Sequence, residues 1–240
     1  MLAAIRSVLF ILIMAITVTL YATATVLCFF LPVKVRYAIA SSWPRLMLQV
    51  GRWLCGMRWR VIGTENLPDG PAIVLGKHQS TWETFFLLCH MPRPAAFVFK
   101  RELLFIPFFG WAIGMLDMMH IDRRHGRRAF EYIVKSAGKQ LHKYGRWIVM
   151  FPEGTRSKPG QQQPYKSGGA RLALKNDTPI VPVAVSSGRC WPKKPFIKQP
   201  GLITVSWGPV ISVAGKTSEQ LNQEVELWIE TEMRRIDPDS

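Results

Sequence analysis

Acidic side chains are scarce in this chain, with 16 against 31 lysines and arginines in 240 residues and a formal charge of +15. The shortage is deeper than the total suggests, because seven of the acids follow Thr217 and leave 29 bases against 9 acids before it. That balance excludes an acidic, self-solvating surface and points to a polyanionic partner, whether phospholipid, phosphorylated metabolite or nucleic acid. Cysteine is scarce too. Cys28, Cys55, Cys89 and Cys190 stand far apart, with no CxxC pair and no histidine at ligand spacing. This argues against a zinc site or a disulfide framework and fits a reducing compartment. Fixed-period repeats and low-complexity tracts are absent. With 48% apolar and 20% charged residues, the composition is that of one folded domain with an appendage.

Charge is missing altogether from Ser7 to Leu31, a run of 25 residues bounded by Arg6 and by Pro32, Lys34 and Arg36. As a helix it rises about 37 Å, enough to cross a hydrocarbon core of about 30 Å with some tilt. The run exceeds the roughly 7 to 15 residues of a signal-peptide core and no clear small-x-small site precedes Pro32, so it is expected to remain attached. Ser41 to Arg60 then mixes Trp43, Trp53 and Trp59 with Arg45, Arg52, Arg58 and Arg60. That mixture suits a second, interfacial helix in the headgroup layer, with a core-facing helix as the alternative. Six bases between Lys34 and Arg60 against one before the apolar run place the rest of the chain on the cytoplasmic side of a bacterial inner membrane. Crossing and looping back both remain open. The expected division is a membrane anchor with interfacial helix over 1–60 and a catalytic domain over 61–240.

After Gly63, short β-branched runs alternate with amphipathic stretches. Strands are predicted at Ala72 to Leu75, Ala95 to Phe99, Trp147 to Phe151, Ile180 to Val185 and Leu202 to Trp207. Helical spacing of Phe130, Ile133, Val134, Ala137 and Leu141 predicts a helix from Arg127 to Tyr144, stopped by Gly145. Thr217 with Gln220 predicts a capping box opening a last helix whose buried stripe is Leu221, Val225, Trp228, Ile229 and Met233. The fold class is α/β, a mostly parallel or mixed sheet flanked by helices. Strand order is not readable. The polar motifs stand where predicted strands end, which is where open α/β sheets bind ligands.

The first motif is Lys77-His78-Gln79-Ser80-Thr81-Trp82-Glu83. Five positions apart on one helix, His78 and Glu83 would diverge by about 140°, so they meet only if His78 lies on the loop before the helix. Ser80 and Glu83 read as a capping box that starts the helix at Ser80 and leaves His78 outside. A histidine whose far nitrogen is oriented by a carboxylate is the usual general base; a mere cap with a structural histidine is the alternative. The second motif is Phe151-Pro152-Glu153-Gly154-Thr155-Arg156-Ser157. Pro152 and Gly154 force a loop after an apolar strand, and Arg156 offers a planar fork suited to phosphate. A polar turn with a solvated arginine is the alternative.

His-x4-acid followed about seventy residues later by Phe-Pro-Glu-Gly-Thr-Arg resembles the glycerolipid acyltransferases, specifically the bacterial 1-acyl-sn-glycerol-3-phosphate acyltransferases. Gly110 with Met119 to Arg123 is similar to the family's second block, Ile180 to Val183 to its fourth, and Lys166-Ser167-Gly168 to the turn after its third. Glu83 stands where the family usually has Asp. The resemblance implies transfer of a fatty acyl group from acyl-CoA or acyl carrier protein to the sn-2 hydroxyl of lysophosphatidic acid. His78 and Glu83 would be the catalytic pair. Arg156 would hold the acceptor phosphate on a loop shaped by Glu153, Gly154 and Thr155, with Arg123 next and Lys100 and Lys166 as weaker candidates. No cofactor, metal or nucleic acid is expected; the partners are the acyl donor, the lysolipid and membrane lipids. Acylation of lyso-ornithine lipid is the enzymatic alternative, and a basic membrane-anchored lipid-binding domain the non-enzymatic one. The run Arg123, Arg124, Arg127 and Arg128 would attract acceptor, donor or headgroup phosphates. The apolar stretch Phe105 to Met119 is expected to face the membrane or an acyl channel in part, with core packing as the alternative.

Overall fold

A computed structural model describes residues 1–122, 126–193 and 196–238, with side chains for all of these except 126–128. Alternation of apolar residues with two buried faces produces a seven-stranded sheet in the order β1-β7-β6-β2-β5-β3-β4. Its strands are β1 (Met57–Ile62), β2 (Ile73–Gly76), β3 (Ala95–Lys100), β4 (Met119–Ile121), β5 (Trp147–Met150), β6 (Ile180–Val185) and β7 (Gly201–Trp207). All neighbours run parallel except β6 and β7. Along β2 the pleat sends Val74 to one face and Ile73 and Leu75 to the other, so each strand feeds two cores.

The first face is covered by α2 (Val33–Cys55) and α3 (Trp82–His90). Met47, Leu48, Trp82 and Phe86 pack there against Val74, Val149 and Val183. The second is covered by α5 (Gly126–Gly138), α6 (Gly168–Lys175) and α7 (Ser218–Ile236). Ile133, Ala137, Leu172, Leu221, Val225 and Ile229 are buried on it. The helix expected from Arg127 runs as α5 and continues in a π-helical turn over Lys139–Lys143, where Gly145 at φ 61 ends the path. The Thr217 capping box forms as the sequence predicts, with Gln220 N–H donating to the Thr217 hydroxyl and Thr217 N–H to the Gln220 side chain. A short α4 (Phe109–Gly114) connects β3 to β4.

Two expectations are corrected here. The interfacial helix does not reach Arg60: α2 ends at Cys55, where Gly56 takes the left-handed conformation at φ 73, and Met57–Ile62 is the edge strand β1. The expected division at 60/61 therefore falls inside a strand. Helix α3 starts at Trp82, not Ser80, and its N-cap Thr81 makes no side-chain cap bond.

The apolar run forms α1 (Leu2–Leu27), long and apolar enough to cross a membrane by length and composition. It nonetheless lies along the domain. Near its start the Ser7 hydroxyl accepts the Lys198 N–H at 2.7 Å and Phe10 meets Trp191 edge-on at 5.2 Å. Midway, Trp43 Nε1 donates to the Thr17 hydroxyl at 3.0 Å. Towards its end, Ala22 and Thr25 face a cavity shared with α4. Its other side exposes Leu2, Ile5, Leu9, Leu12, Ile16, Leu20 and Leu27, and the turn to α2 exposes Phe29 and Phe30. An apolar stripe of that length left outside a folded domain marks membrane association.

Candidate active site

The parallel strands β2, β3, β5 and β6 deliver their C-terminal ends to one edge of the sheet. There β2 leads into Lys77-His78, β3 ends at Lys100, β5 leads into Pro152 to Ser157, and β6 leads into Ser186-Ser187. The register Leu75↔Pro182 with Leu75↔Met150 puts the β5 and β6 exits on either side of His78.

His78 Nδ1 lies 2.8 Å from Glu83 Oε1. Because a carboxylate only accepts, this bond fixes the proton on Nδ1 and leaves the Nε2 lone pair free. The ring stacks on Phe151 at 4.0 Å with an interplanar angle of 11°. Its backbone is pinned on both sides: the His78 N–H donates to Glu153 Oε1 at 2.7 Å, and its carbonyl accepts from Ser157 N at 2.8 Å.

Glu83 is fully buried. Its Oε1 also accepts the N–H groups of Gln79 at 2.8 Å and Ser80 at 2.7 Å. Its Oε2 accepts the Ser187 hydroxyl at 2.6 Å and, at shorter range, that of Ser80. Burial alone would push this carboxyl up. The hydrogen bond and charge of His78, with Ser187 and Ser80, outweigh burial and hold the group below its ordinary value. The Ser80 hydroxyl also accepts the Trp82 N–H at 2.9 Å, so Ser80 serves the approach to the helix and the carboxylate together.

A cavity of about 720 Å³ opens beside His78. Its walls are mostly apolar, from Val18, Tyr21, Trp43, Phe85, Phe97 and Ile113, and Lys100, Arg156, Lys166 and Lys193 also line it. The structure thus brings His78, Lys100, Gly154, Thr155, Arg156 and Lys166 to one cavity. Arg156 Nη1 donates to the Thr81 hydroxyl at 3.2 Å. At Gly154, φ is 68 and an added Cβ would come within 3.0 Å of Lys166 Nζ, so glycine suits both the turn and the lysine's approach.

Glu153, named with the substrate-binding residues as a shaper of the Arg156 loop, is buried and set back from the cavity. It holds the His78 N–H and lies 3.5 Å from the buried Lys77 Nζ, which pairs with Glu230 of α7 at 2.7 Å. Burial pushes the Glu153 carboxyl up, against the opposing charge of Lys77. Arg123 lies outside the described residues, as do Arg124 and the side chains of Arg127 and Arg128. Among the described residues no group of three or more His, Cys, Asp or Glu could hold a metal ion.

Sequence reasoning missed Ser187, Lys193 and Glu230. Lys193 donates to the Thr155 hydroxyl at 3.1 Å and the Arg156 carbonyl at 2.9 Å, bracing the arginine loop. Ser186-Ser187 directly after a predicted strand was the available signal for the first of these.

A family model described as Acyltransferase matches residues 58–186. A 1-acyl-sn-glycerol-3-phosphate acyltransferase of Pseudomonas aeruginosa is 40% identical over 243 residues, covering 98% of this chain and 93% of that protein. One of the same name from Borreliella burgdorferi is 30% identical over 171 residues, covering 70% and 68%. The crystal structure of the LPA acyltransferase PlsC from Thermotoga maritima aligns over 98% of this chain and 97% of that one, with a TM-score of 0.80 at 21% identity. That last likeness bears on the fold alone.

Proposed function

Because the chain belongs to the acyltransferase family, we propose that it transfers a fatty acyl group from a thioester donor to the sn-2 hydroxyl of 1-acylglycerol-3-phosphate, giving phosphatidic acid. The observation that carries this reading is the His78–Glu83 pair beside one cavity lined by both apolar side chains and cations. An acyl chain needs the first environment and a phosphate the second.

His78 Nε2 takes the acceptor hydroxyl proton as the oxygen attacks the thioester carbonyl. The tetrahedral intermediate then expels the thiolate, so a C–O bond forms, the C–S bond breaks and the proton passes from the imidazolium to sulfur. Glu83 keeps the tautomer and stabilises the imidazolium. Arg156 receives the acceptor phosphate, with Lys166 and Lys100 adding positive charge. Acyl-CoA and acyl carrier protein both present a phosphate-bearing thioester arm, and the lysines and arginine lining the cavity would attract either.

The catalytic domain faces the cytoplasm at the inner membrane, with α1 lying in the plane of one leaflet. The basic segment Lys34 to Arg60 and the lengthwise docking of α1 support that placement. The test is purified protein with a labelled acyl thioester and a panel of lyso-lipids that includes lyso-ornithine lipid. Lysophosphatidic acid should be the preferred acceptor, and His78→Ala should remain folded yet lose nearly all turnover. Preference for another lyso-lipid would overturn the acceptor assignment, and a fully active His78→Ala would overturn the mechanism.

A further inference from the structure

The connection from β3 to β4 is apolar in an unusual way. Between Leu103 and Met119 the only charged residue is Asp117. A surface helix ordinarily turns a polar face to solvent, and α4 has none. Its inner side sends Phe109, Ala112 and Ile113 to the cavity, with Leu103 and Leu116 flanking them. The opposite side exposes Phe105 at 73%, Ile106 at 44%, Phe108 at 42% and Trp111 at 50%. None of these four lines the cavity.

The backbone holds this arrangement in place. Phe108 has φ 60 and ψ −64, and the Phe109 N–H donates to the Pro107 carbonyl at 2.7 Å, a γ-turn that L residues adopt at a cost. Gly110 packs against the preceding turn so closely that a Cβ would sit 2.4 Å from the Leu104 carbonyl oxygen. Helix α1 packs directly against α4, and its Val18, Tyr21, Ala22 and Thr25 line the same cavity. Arg36 Nη1, near the start of α2, reaches Met115 Sδ at 3.7 Å, so the hairpin and the α4 segment form one continuous surface. Lys100 and Arg101, both exposed, immediately precede the apolar stretch in the chain, and headgroup phosphates attract such bases.

We infer that Phe105 to Trp111 is a second membrane-inserting element, seated in the lipid beside α1. The occupant of the outer face is the hydrocarbon of a lipid monolayer, because the patch continues the exposed apolar stripe of α1 and presents no hydrogen-bonding group beyond the Trp111 indole.

Insertion is read without turnover. Parent and Trp111→Phe proteins are bound to phosphatidylglycerol vesicles whose acyl chains carry bromine, and the Trp111 contribution is taken by difference. It should be quenched by the brominated chains and shielded from aqueous iodide. A Trp111 signal that iodide quenches and bromine does not, on vesicle-bound protein, overturns the insertion. As a second readout, Phe105→Ser with Ile106→Ser should keep its far-UV spectrum and bind the same vesicles about 10-fold more weakly than the parent. Unchanged vesicle affinity in the double variant overturns the insertion, as does a parent that is dimeric in detergent and becomes monomeric in the double variant.

Discussion

Glu83 accepts more hydrogen bonds than a helix cap would need, and the excess is informative. Two backbone N–H groups converge on Oε1, two hydroxyls on Oε2, and His78 on the side facing the cavity. Glu83→Gln can keep the amide oxygen on the N–H groups and donate its NH2 to Ser80 and Ser187, whose hydroxyls reverse to accept. The variant should therefore fold, yet lose turnover by about 100-fold or more, because the imidazolium loses its counter-charge. Glu83→Asp should retain more activity than Gln and less than the parent. Steady-state kcat beside thermal melting checks both. The acid limb gives a separate readout. A carboxyl held below its ordinary value adds stability that is fully present above about pH 4.3 and is lost as pH falls through the folded-state value. Melting temperature should thus drop less steeply on acidification in Glu83→Gln than in the parent. Arg156→Ala should raise the acceptor KM with a smaller effect on kcat, and Arg156→Lys should restore little, since an ammonium cannot reproduce the fork. Unchanged acceptor kinetics in Arg156→Ala would remove the phosphate assignment. His78, Glu83 and Arg156 were legible in the sequence because each sits in a short motif whose chemistry is local. Ser187 and the grip of Glu153 on the His78 N–H were not, since both depend on which strands flank β2.

Among the elements that supply no residue to the cavity, α7 is tied to the site through a buried charge. Lys77 is 2% exposed, precedes His78, and bonds Glu230 of α7 while lying near Glu153. Tyr165 donates to the same Glu230 oxygen at 2.8 Å, and burial beside that carboxylate pushes its phenol up. Removing one member of a buried pair strands the other, at a cost of about 3 kcal/mol or more. Glu230→Gln should therefore melt lower than the parent and lose activity, although Glu230 does not line the cavity. Lys77→Met with Glu230→Gln should recover most of the stability, and the double-mutant cycle measures the coupling. Simple additivity would mean that the pair contributes nothing. Helices α5 and α7 were readable because each carries its own period and stop or cap. Strand β1 was hidden by its arginines: Arg58 and Arg60 alternate with Trp59 and Val61 at period 2, the pattern of a charged edge strand. The same residues also fit a headgroup-layer helix, and Gly56 was the stop signal that separates the two. Strand β4, at three residues, is too short to carry a pattern, and the order of the strands is set by packing between distant segments.

For the whole molecule, the apolar N-terminal run announced a membrane in the sequence but left its geometry open, because length and hydropathy are the same for a helix that crosses and one that lies flat. The choice depends on what its inner face touches. Burial of α1's outer stripe in lipid is not screened by ions, so the protein should stay with membranes through high-salt washing and need detergent for release; complete release by salt would contradict it. Phe10 separates the two geometries. It is fully buried, meets Trp191 edge-on, and packs in the same core as Met47, Leu48 and Trp82. A helix crossing the bilayer away from the domain would not need it there. With α1 docked as observed, Phe10→Ala opens a cavity in the main core and should cost about 3 kcal/mol. For a chain of this length that lowers the melting temperature by roughly 6 to 12 °C. Leu12→Ala, on the exposed stripe of the same helix, removes a comparable apolar side chain from lipid contact only and should leave the detergent-solubilised melting temperature nearly unchanged. Equal, small shifts from the two substitutions would mean that α1 stands clear of the catalytic domain and spans the membrane on its own.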